Sequence, residues 1–415
     1  MSKILFLTCH LPYPPTSGGR RREYELLKRI SKHYDIYVCA ISKTFEQDCR
    51  NAEILSKHCG YLDVMVFEAV DLKKLPTSLL QNYPHQVLQN ASNKASEYVA
   101  SALTLETFDV IHVEGFYLIQ HVPMESNIPV LLVEQNIEFL LWEQRAALAS
   151  KELHRRGYLR QYELTKIAER RAWLRSSLCA VLTEDDKKHI EKVLPIKNIR
   201  IVRDGIDHLT TLEVSEHEAT YKQVSINAPS ILFVGNFRYE PNVDAVLYFC
   251  QDILPLIRNV VPEVKLFLVG DSPGPQVQSL SDIPGVIVTG RVPSLVPYLK
   301  AADVFVCPLR VGGGIKVKML EALYEGKAIV STSIGAQGLP SGEDNPLYIE
   351  NDPARFANRV TYLLQHPEEM VRLKKTTASF VNLLPSWNDA TQMLRDCYEE
   401  LINQFSDSPT HKCKS

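Results

Sequence analysis

Three glycine-bearing segments each follow a short apolar run and place charged side chains beside backbone that can approach a ligand closely. The richest is VFVCPLRVGGGIKVKMLEALYEGKAIV (304–330), in which Gly312, Gly313 and Gly314 lead into an amphipathic stretch. Its spacing predicts a helix that runs to Glu325 and stops at Gly326. Free N–H groups at such a helix start attract anions, and the macrodipole adds a modest pull. Lys316 and Lys318 fall in the first turn, where a cation opposes that dipole; two of them there make sense if an anion occupies the helix end. Glu321 lies three residues after Lys318, one turn deeper on the same face. A carboxylate there can accept both hydroxyls of a ribose while the lysine holds phosphate. The structural alternative for Glu321 is an i,i+3 salt bridge to Lys318, worth roughly 0.2–0.5 kcal/mol.

The second segment is ILFVGNFRYEPNVDAVLYF (231–249). Gly235 ends the run, and Arg238 follows in a loop where a guanidinium suits a pyrophosphate. Asn242 or Asp244 is placed to cap the next helix. The third is PPTSGGRRREYELLKRI (14–30), where Gly18 and Gly19 open a helix. It is not G-x-G-x-x-G, and no acid sits at the distance needed to read a ribose, which disfavours a dinucleotide oxidoreductase. No Asp-x-Asp and no His/Cys cluster at ligand spacing announces a metal, so none is expected.

The elements that must position these residues are legible as thirteen short apolar runs. They are 4–9, 36–42, 64–67, 110–114, 130–134, 180–183 and 199–202, then 231–235, 265–270, 286–290, 304–308, 328–332 and 347–350. Runs of Val, Ile and Leu without polar alternation indicate strands covered on both faces, as in parallel sheets flanked by helices. Strand–helix alternation repeated in two halves predicts two Rossmann-type α/β domains, and 415 residues exceed what one core usually organises. The expected division is 1–207, 208–388, and a final helix with its tail at 389–415, with the boundary in the polar stretch 207–229.

Apolar residues make up 45% of the chain and charged residues 23%, a globular composition. Lys plus Arg is 46 against Asp plus Glu at 49, a near balance that argues against nucleic acid as a partner. Nine cysteines without a C-x-x-C pair point to a reducing cytosol, and no run reaches the length that spans a bilayer. Between Lys151 and Arg175 eight basic residues face three acids. A solvated helix surface is the simpler account of that segment, and peripheral association with the inner membrane face is the alternative.

VGGGIKVKMLEALYEGKAIVSTSIGAQGL (311–339) resembles the signature of the retaining GT-B nucleotide-sugar glycosyltransferases of family four, glycosyl transferases group one. FVGNFRYEPNVDAV, FLVGDSP and VIVTGRVPSLVPYLKAADVFVCPLR precede it in family order. TEDD (183–186), RDGID (203–207), the Gly18-Gly19 turn and PSWNDA (385–390) extend the resemblance over most of the chain. It implies two Rossmann-like domains facing a central cleft, with the last helix crossing back to the N-terminal one. It also implies hexosyl transfer, without cofactor or metal, from a UDP or GDP sugar to a glycan, lipid-linked or small-molecule acceptor. The roles it carries over are Arg238, Lys316 and Lys318 on the diphosphate and Glu321 on the ribose. Gly18, Gly19, Gly235, Gly313, Gly314 and Val292 would be donor contacts, and Gly335 to Gly338 would border the nucleotide.

The chain departs from the family pattern at four places. The first acid of E-x7-E is Gly313; Asn236 and Asn242 replace an Arg and a Lys; and Gln135 stands where a histidine is frequent near the reacting sugar. His112 and Glu114 are nearby alternatives on the acceptor side. These departures keep two other readings open: a GT-B nucleotide-sugar epimerase, and a nucleotide-sugar binder that has lost catalysis.

Overall fold

The structure, a computed structural model, describes residues 1–195, 198–207, 228–339 and 345–406. The polar boundary stretch proposed at 207–229 lies almost wholly outside them, as does the tail after residue 406. The chain divides into two compact units, Met1–Gly205 together with the chain from Trp387 onward, and Ile206–Ser386.

The first unit is built on seven parallel strands. These are β1 (Lys3–Thr8), β2 (Asp35–Ser42), β3 (Leu62–Glu68), β4 (Val110–Glu114), β5 (Val130–Glu134), β6 (Leu178–Val181) and β7 (Ile199–Ile201). Their order across the sheet is β3-β2-β1-β4-β5-β6-β7. Every residue of β4 and β5 is buried, as continuous apolar runs require when helices cover both faces. The helix α1 (Gly18–Ile30) starts from Ser17, whose side chain accepts the Arg20 N–H, and buries Leu26, Leu27 and Ile30. Further along, α2 (Glu138–Leu148) packs on the long α3 (Glu152–Arg175), and Glu169 of α3 accepts the backbone N–H groups of Glu138 and Phe139 at 2.7 and 3.0 Å. That carboxylate therefore satisfies orphan donors at the start of α2.

The final helix, Trp387–Ser406, belongs to this unit although the whole second unit precedes it in sequence. Trp387, Ala390, Leu394, Tyr398 and Leu401 are fully buried in the same core as Leu26 and Ile30 of α1. Arg200 on β7 forks onto Glu400 at 2.7 and 3.0 Å, which fixes the helix at its far end.

The second unit has six parallel strands: β8 (Ser230–Val234), β9 (Lys265–Val269), β10 (Val286–Gly290), β11 (Val304–Cys307), β12 (Ala328–Ser331) and β13 (Leu347–Ile349). Their order is β10-β9-β8-β11-β12-β13. In both units the order reverses direction beside the first strand, between β1 and β4 and between β8 and β11. Open α/β sheets bind ligands at such a switch point, outside the carboxyl ends of the strands. The helices that follow β8 and β11 are α4 (Glu240–Tyr248) and α5 (Val317–Tyr324).

Candidate functional site

In the second unit the loops after β8 and β11 meet at the switch point. The expected helix after the three glycines is α5, with Lys316 as its first cap residue and Lys318 in its first turn. Gly314 has φ +60°, a left-handed conformation that glycine adopts without steric cost and that lets the loop turn into the helix. No side chain caps the start of α5. Its other end closes in a Schellman turn, with Gly326 N–H bonded to Leu323 O at 2.9 Å and Lys327 N–H to Ala322 O at 3.0 Å.

Lys318 does not make the i,i+3 salt bridge to Glu321 that the spacing allowed. Its Nζ donates instead to Asn242 Oδ1 at 2.6 Å and lies 4.2 Å from the centre of the Phe233 ring. Burial pushes its pKa down to about 8, with Glu321 opposing that shift from one turn away. Glu321 is itself 8% exposed. Lys316 Nζ folds back onto Gly314 O at 2.6 Å and so braces the glycine loop.

A chain of hydrogen bonds leads from Lys318 to Arg238. Asn242 Nδ2 donates to Asn236 O at 2.8 Å, and Arg238 N–H donates to Asn236 Oδ1 at 2.9 Å. The exposed Arg238 guanidinium is steadied by Nε on Ser272 Oγ at 2.8 Å, in the loop after β9. Asn242 and Asp244 therefore do not cap α4, as their positions in sequence suggested; the cap residue is Tyr239, whose side chain does not cap the helix. Asn242 holds the catalytic-candidate lysine, and Asp244 takes Arg310 in a forked pair at 2.5 and 3.0 Å. Arg310, from the loop after β11, also stacks over Tyr248, 4.4 Å from its ring centre, so it ties that loop to α4. Thr332 Oγ1 donates to Leu309 O and accepts Gly335 N–H, which joins the loop after β12 to the same assembly.

The structure thus gathers Gly235, Arg238, Gly313, Gly314, Lys316, Lys318 and Glu321 beyond the carboxyl ends of the paired strands β8 and β11. Val292 is on the loop after β10, two strands from β8, half-buried against the core. Sequence reasoning named Asn236 and Asn242 only as departures from the family pattern, with Asn242 as a candidate cap, and gave Ser272 and Arg310 no role. The six-residue spacing of the two asparagines was the available signal for the first pair.

In the first unit, His112, Glu114 and Gln135 come together in a polar network that Gly19 abuts, whereas Gly18, at the start of α1, is exposed. His112 is fully buried; its Nδ1 lies 2.6 Å from Tyr398 Oη and its Nε2 lies 2.8 Å from Glu114 Oε1. Gln135 Nε2 donates to Glu114 Oε2 at 3.0 Å and to Glu23 Oε1 at 3.1 Å, so one amide bridges two buried carboxylates. A Cβ on Gly19 would lie 2.8 Å from Gln135 Oε1, which gives this glycine a packing reason independent of any ligand. Burial would raise Glu114, but His112, Arg22 and Gln135 outweigh it and hold the carboxyl below its ordinary value.

Among the described residues no group of three or more His, Cys, Asp or Glu side chains is arranged to hold a metal ion, and no helix is long and apolar enough to cross a membrane.

Residues 228–366 match the family model described as Glycosyl transferases group 1. The chain is 22% identical over 411 residues, covering 92% of this chain and 96% of the relative, to an uncharacterized 44.6 kDa protein in the cps region of Klebsiella pneumoniae. It is 21% identical over 224 residues to an uncharacterized glycosyltransferase of Methanocaldococcus jannaschii, covering 52% of this chain and 56% of that one. Among solved structures, Anabaena HepE in complex with UDP and glucose superimposes with a TM-score of 0.66 at 13% identity, covering 96% of this chain and 100% of that one. The fold is GT-B, and with a group 1 glycosyltransferase domain in its second unit the chain is a glycosyltransferase.

Proposed function

We propose that the protein transfers a hexosyl group, with retention and without a metal, from a nucleoside diphosphate sugar to an acceptor hydroxyl. The observation that carries this reading is the start of α5: a helix end without a side-chain cap, a glycine loop, a half-buried ammonium aimed by Asn242, and a buried carboxylate one turn deeper. Lys318, Lys316 and Arg238 would hold the diphosphate, and Glu321 would accept the ribose hydroxyls. Gly313, Gly314, Gly235, Val292, Gly18 and Gly19 would be donor contacts. Uridine or guanosine is the base; HepE, which is solved with UDP and with UDP-glucose, supports uridine.

In the transfer, the bond between the anomeric carbon and the diphosphate oxygen breaks, and its electron pair leaves on the diphosphate. Fixed cations and helix N–H groups stabilise that charge more as it develops than before the reaction. The acceptor oxygen bonds to the anomeric carbon, and its proton passes to the departing diphosphate. The phosphate is the base because the acceptor-side candidates His112, Glu114 and Gln135 are committed to one another or to Tyr398 and Glu23. His112 has both ring nitrogens bonded, and Gln135 spans Glu23 and Glu114. The acceptor, a glycan, lipid-linked or small-molecule hydroxyl, would bind on the first unit, with peripheral membrane contact through the basic α3 if it is lipid-linked.

Proton NMR of the products from the nucleotide sugar that binds, in the presence of EDTA, tests the reading. A transferred glycoside with the donor's anomeric configuration is expected. Inversion, a requirement for added divalent metal, or a new nucleotide sugar in place of a glycoside would overturn it.

A further inference from the structure

The proposed transfer leaves one cluster of reactive groups unused. Cys9 opens the loop after β1, half-buried, and its Sγ lies 3.3 Å from Nδ1 of His10. His10 Nε2 lies 3.1 Å from Oε1 of Glu23, which is fully buried on α1. Glu23 also accepts Thr8 Oγ1 at 2.5 Å and Gln135 Nε2 at 3.1 Å. Tyr117 Oη donates to Cys9 Sγ at 3.5 Å. Nucleophile, imidazole and carboxylate therefore lie next to one another in sequence of contact, with the carboxylate held by Thr8 and Gln135. This is the arrangement that activates a cysteine: the third group orients the base and favours its protonated form.

The charges around the sulfur act in the same direction. Glu23 accepts from Thr8 and Gln135, and its Oε1 is the oxygen that faces His10 Nε2. Burial alone would lower His10, but Glu23 and the adjacent sulfur outweigh it and hold the imidazole up at about 10. Burial alone would raise Cys9, yet His10 brings the thiol below its ordinary value, against Glu23 and with help from Lys43. Facing the sulfur are thus His10 from its own loop, Glu23 from α1, Lys43 after β2 and Tyr117 after β4, with Glu138 after β5 acting on Lys43 and Tyr117. The buried thiols Cys39, Cys179, Cys250, Cys307 and Cys397 are instead pushed upward by desolvation.

We propose that Cys9 is a modification site, a nucleophilic thiolate held by His10 and Glu23 that takes small electrophiles and is oxidised by hydrogen peroxide. The thiolate attacks one peroxide oxygen, the S–O bond forms and the O–O bond breaks. The departing hydroxide takes the proton from His10 and leaves as water. Sulfur is oxidised by two electrons to sulfenic acid, and the peroxide is reduced.

The test is a short pulse of iodoacetamide on the full chain at pH 7, followed by peptide mapping, with the exposed Cys49 on the helix Phe45–His58 as internal reference. Cys9 is expected to label at least ~10-fold faster than Cys49, and with a flatter pH dependence than free glutathione. His10→Asn is expected to slow Cys9 labelling by ~10-fold while leaving Cys49 unchanged. Peroxide treatment should remove Cys9 from the thiols alkylated after unfolding, and dithiothreitol should restore it. Labelling of Cys9 no faster than Cys49, or no peroxide-dependent loss, overturns the proposal. The comparison of Cys9 with Cys49 within the wild-type chain decides even if the His10 variant does not fold. None of these readings involves sugar transfer, so the proposal and the transferase reading stand or fall separately.

Discussion

Lys318 is the residue at which burial and charge act most directly against each other. Its ammonium is held by a neutral amide and an aromatic face, so its pKa of about 8 leaves it protonated below that pH and increasingly neutral above it. A neutral amine does not stabilise a departing diphosphate, so donor kcat/KM should fall as pH rises through about 8. Asn242→Asp would set a carboxylate beside the ammonium and raise its pKa. Its pH–rate profile should then hold to higher pH, while donor binding weakens at every pH. A decline that stays near pH 8 in this variant would mean that another group titrates there. Lys318→Ala should cost about 10²–10³ in kcat, as the loss of one preorganised charge-stabilising donor does elsewhere. At this scale the sequence was legible for the charged residues themselves. It was not legible for their partners, because Asn242 reaches Lys318 only once β8 and β11 lie side by side, 76 residues apart.

At the level of elements, the loop before α5 and the final helix carry the consequences. The loop depends on the left-handed backbone at Gly314, where any other residue costs about 1–2 kcal/mol. Gly314→Ala should lower Tm modestly and weaken donor binding more than that loss of stability explains, because it tilts the N–H groups at the helix start. Titration calorimetry against the donor, alongside thermal melts, separates the two effects. The final helix depends on Tyr398, whose hydroxyl meets the buried His112 at 2.6 Å. Tyr398→Phe leaves that ring nitrogen unpaired and should cost about 1–3 kcal/mol by denaturant titration. A cost near zero would mean that the network relaxes without it. The extent of α5 and its stop at Gly326 were readable from periodicity and glycine. The expected cap of α4 was not realised, because the tertiary demands of Lys318 and Arg310 take both Asn242 and Asp244 away from the helix end.

Across the whole molecule, all thirteen apolar runs became strands, with ends shifted by a residue or a few. Continuous Val, Ile and Leu is what a two-face-covered parallel strand needs, so composition alone identifies it. The sheet orders are set by long-range pairing that no local pattern reports, whereas the return of the last helix to the first unit was implied by the family resemblance and is what the structure shows. The same burial leaves a pH signature. Desolvation raises Glu134 to about 8 in the fold, so the folded state keeps a proton that the unfolded chain releases above about 4.5. Its contribution is complete below that pH and is lost as pH climbs through about 8. His10, held at about 10, acts with the same sign from about 6.5 upward. Tm should therefore be higher at pH 6 than at pH 8, and a melt that is flat or reversed across that range would contradict both assignments.

The most direct measurement is a thermal-shift panel of UDP, GDP, ADP, TDP and CDP sugars on the wild type and on Glu321→Ala. A ligand that binds only the folded state at 100 times its Kd adds about 2.7 kcal/mol of stability, enough to resolve. The account predicts a shift for one uridine or guanosine sugar that disappears in the variant. No shift with any donor, or an equal shift in the variant, would contradict it.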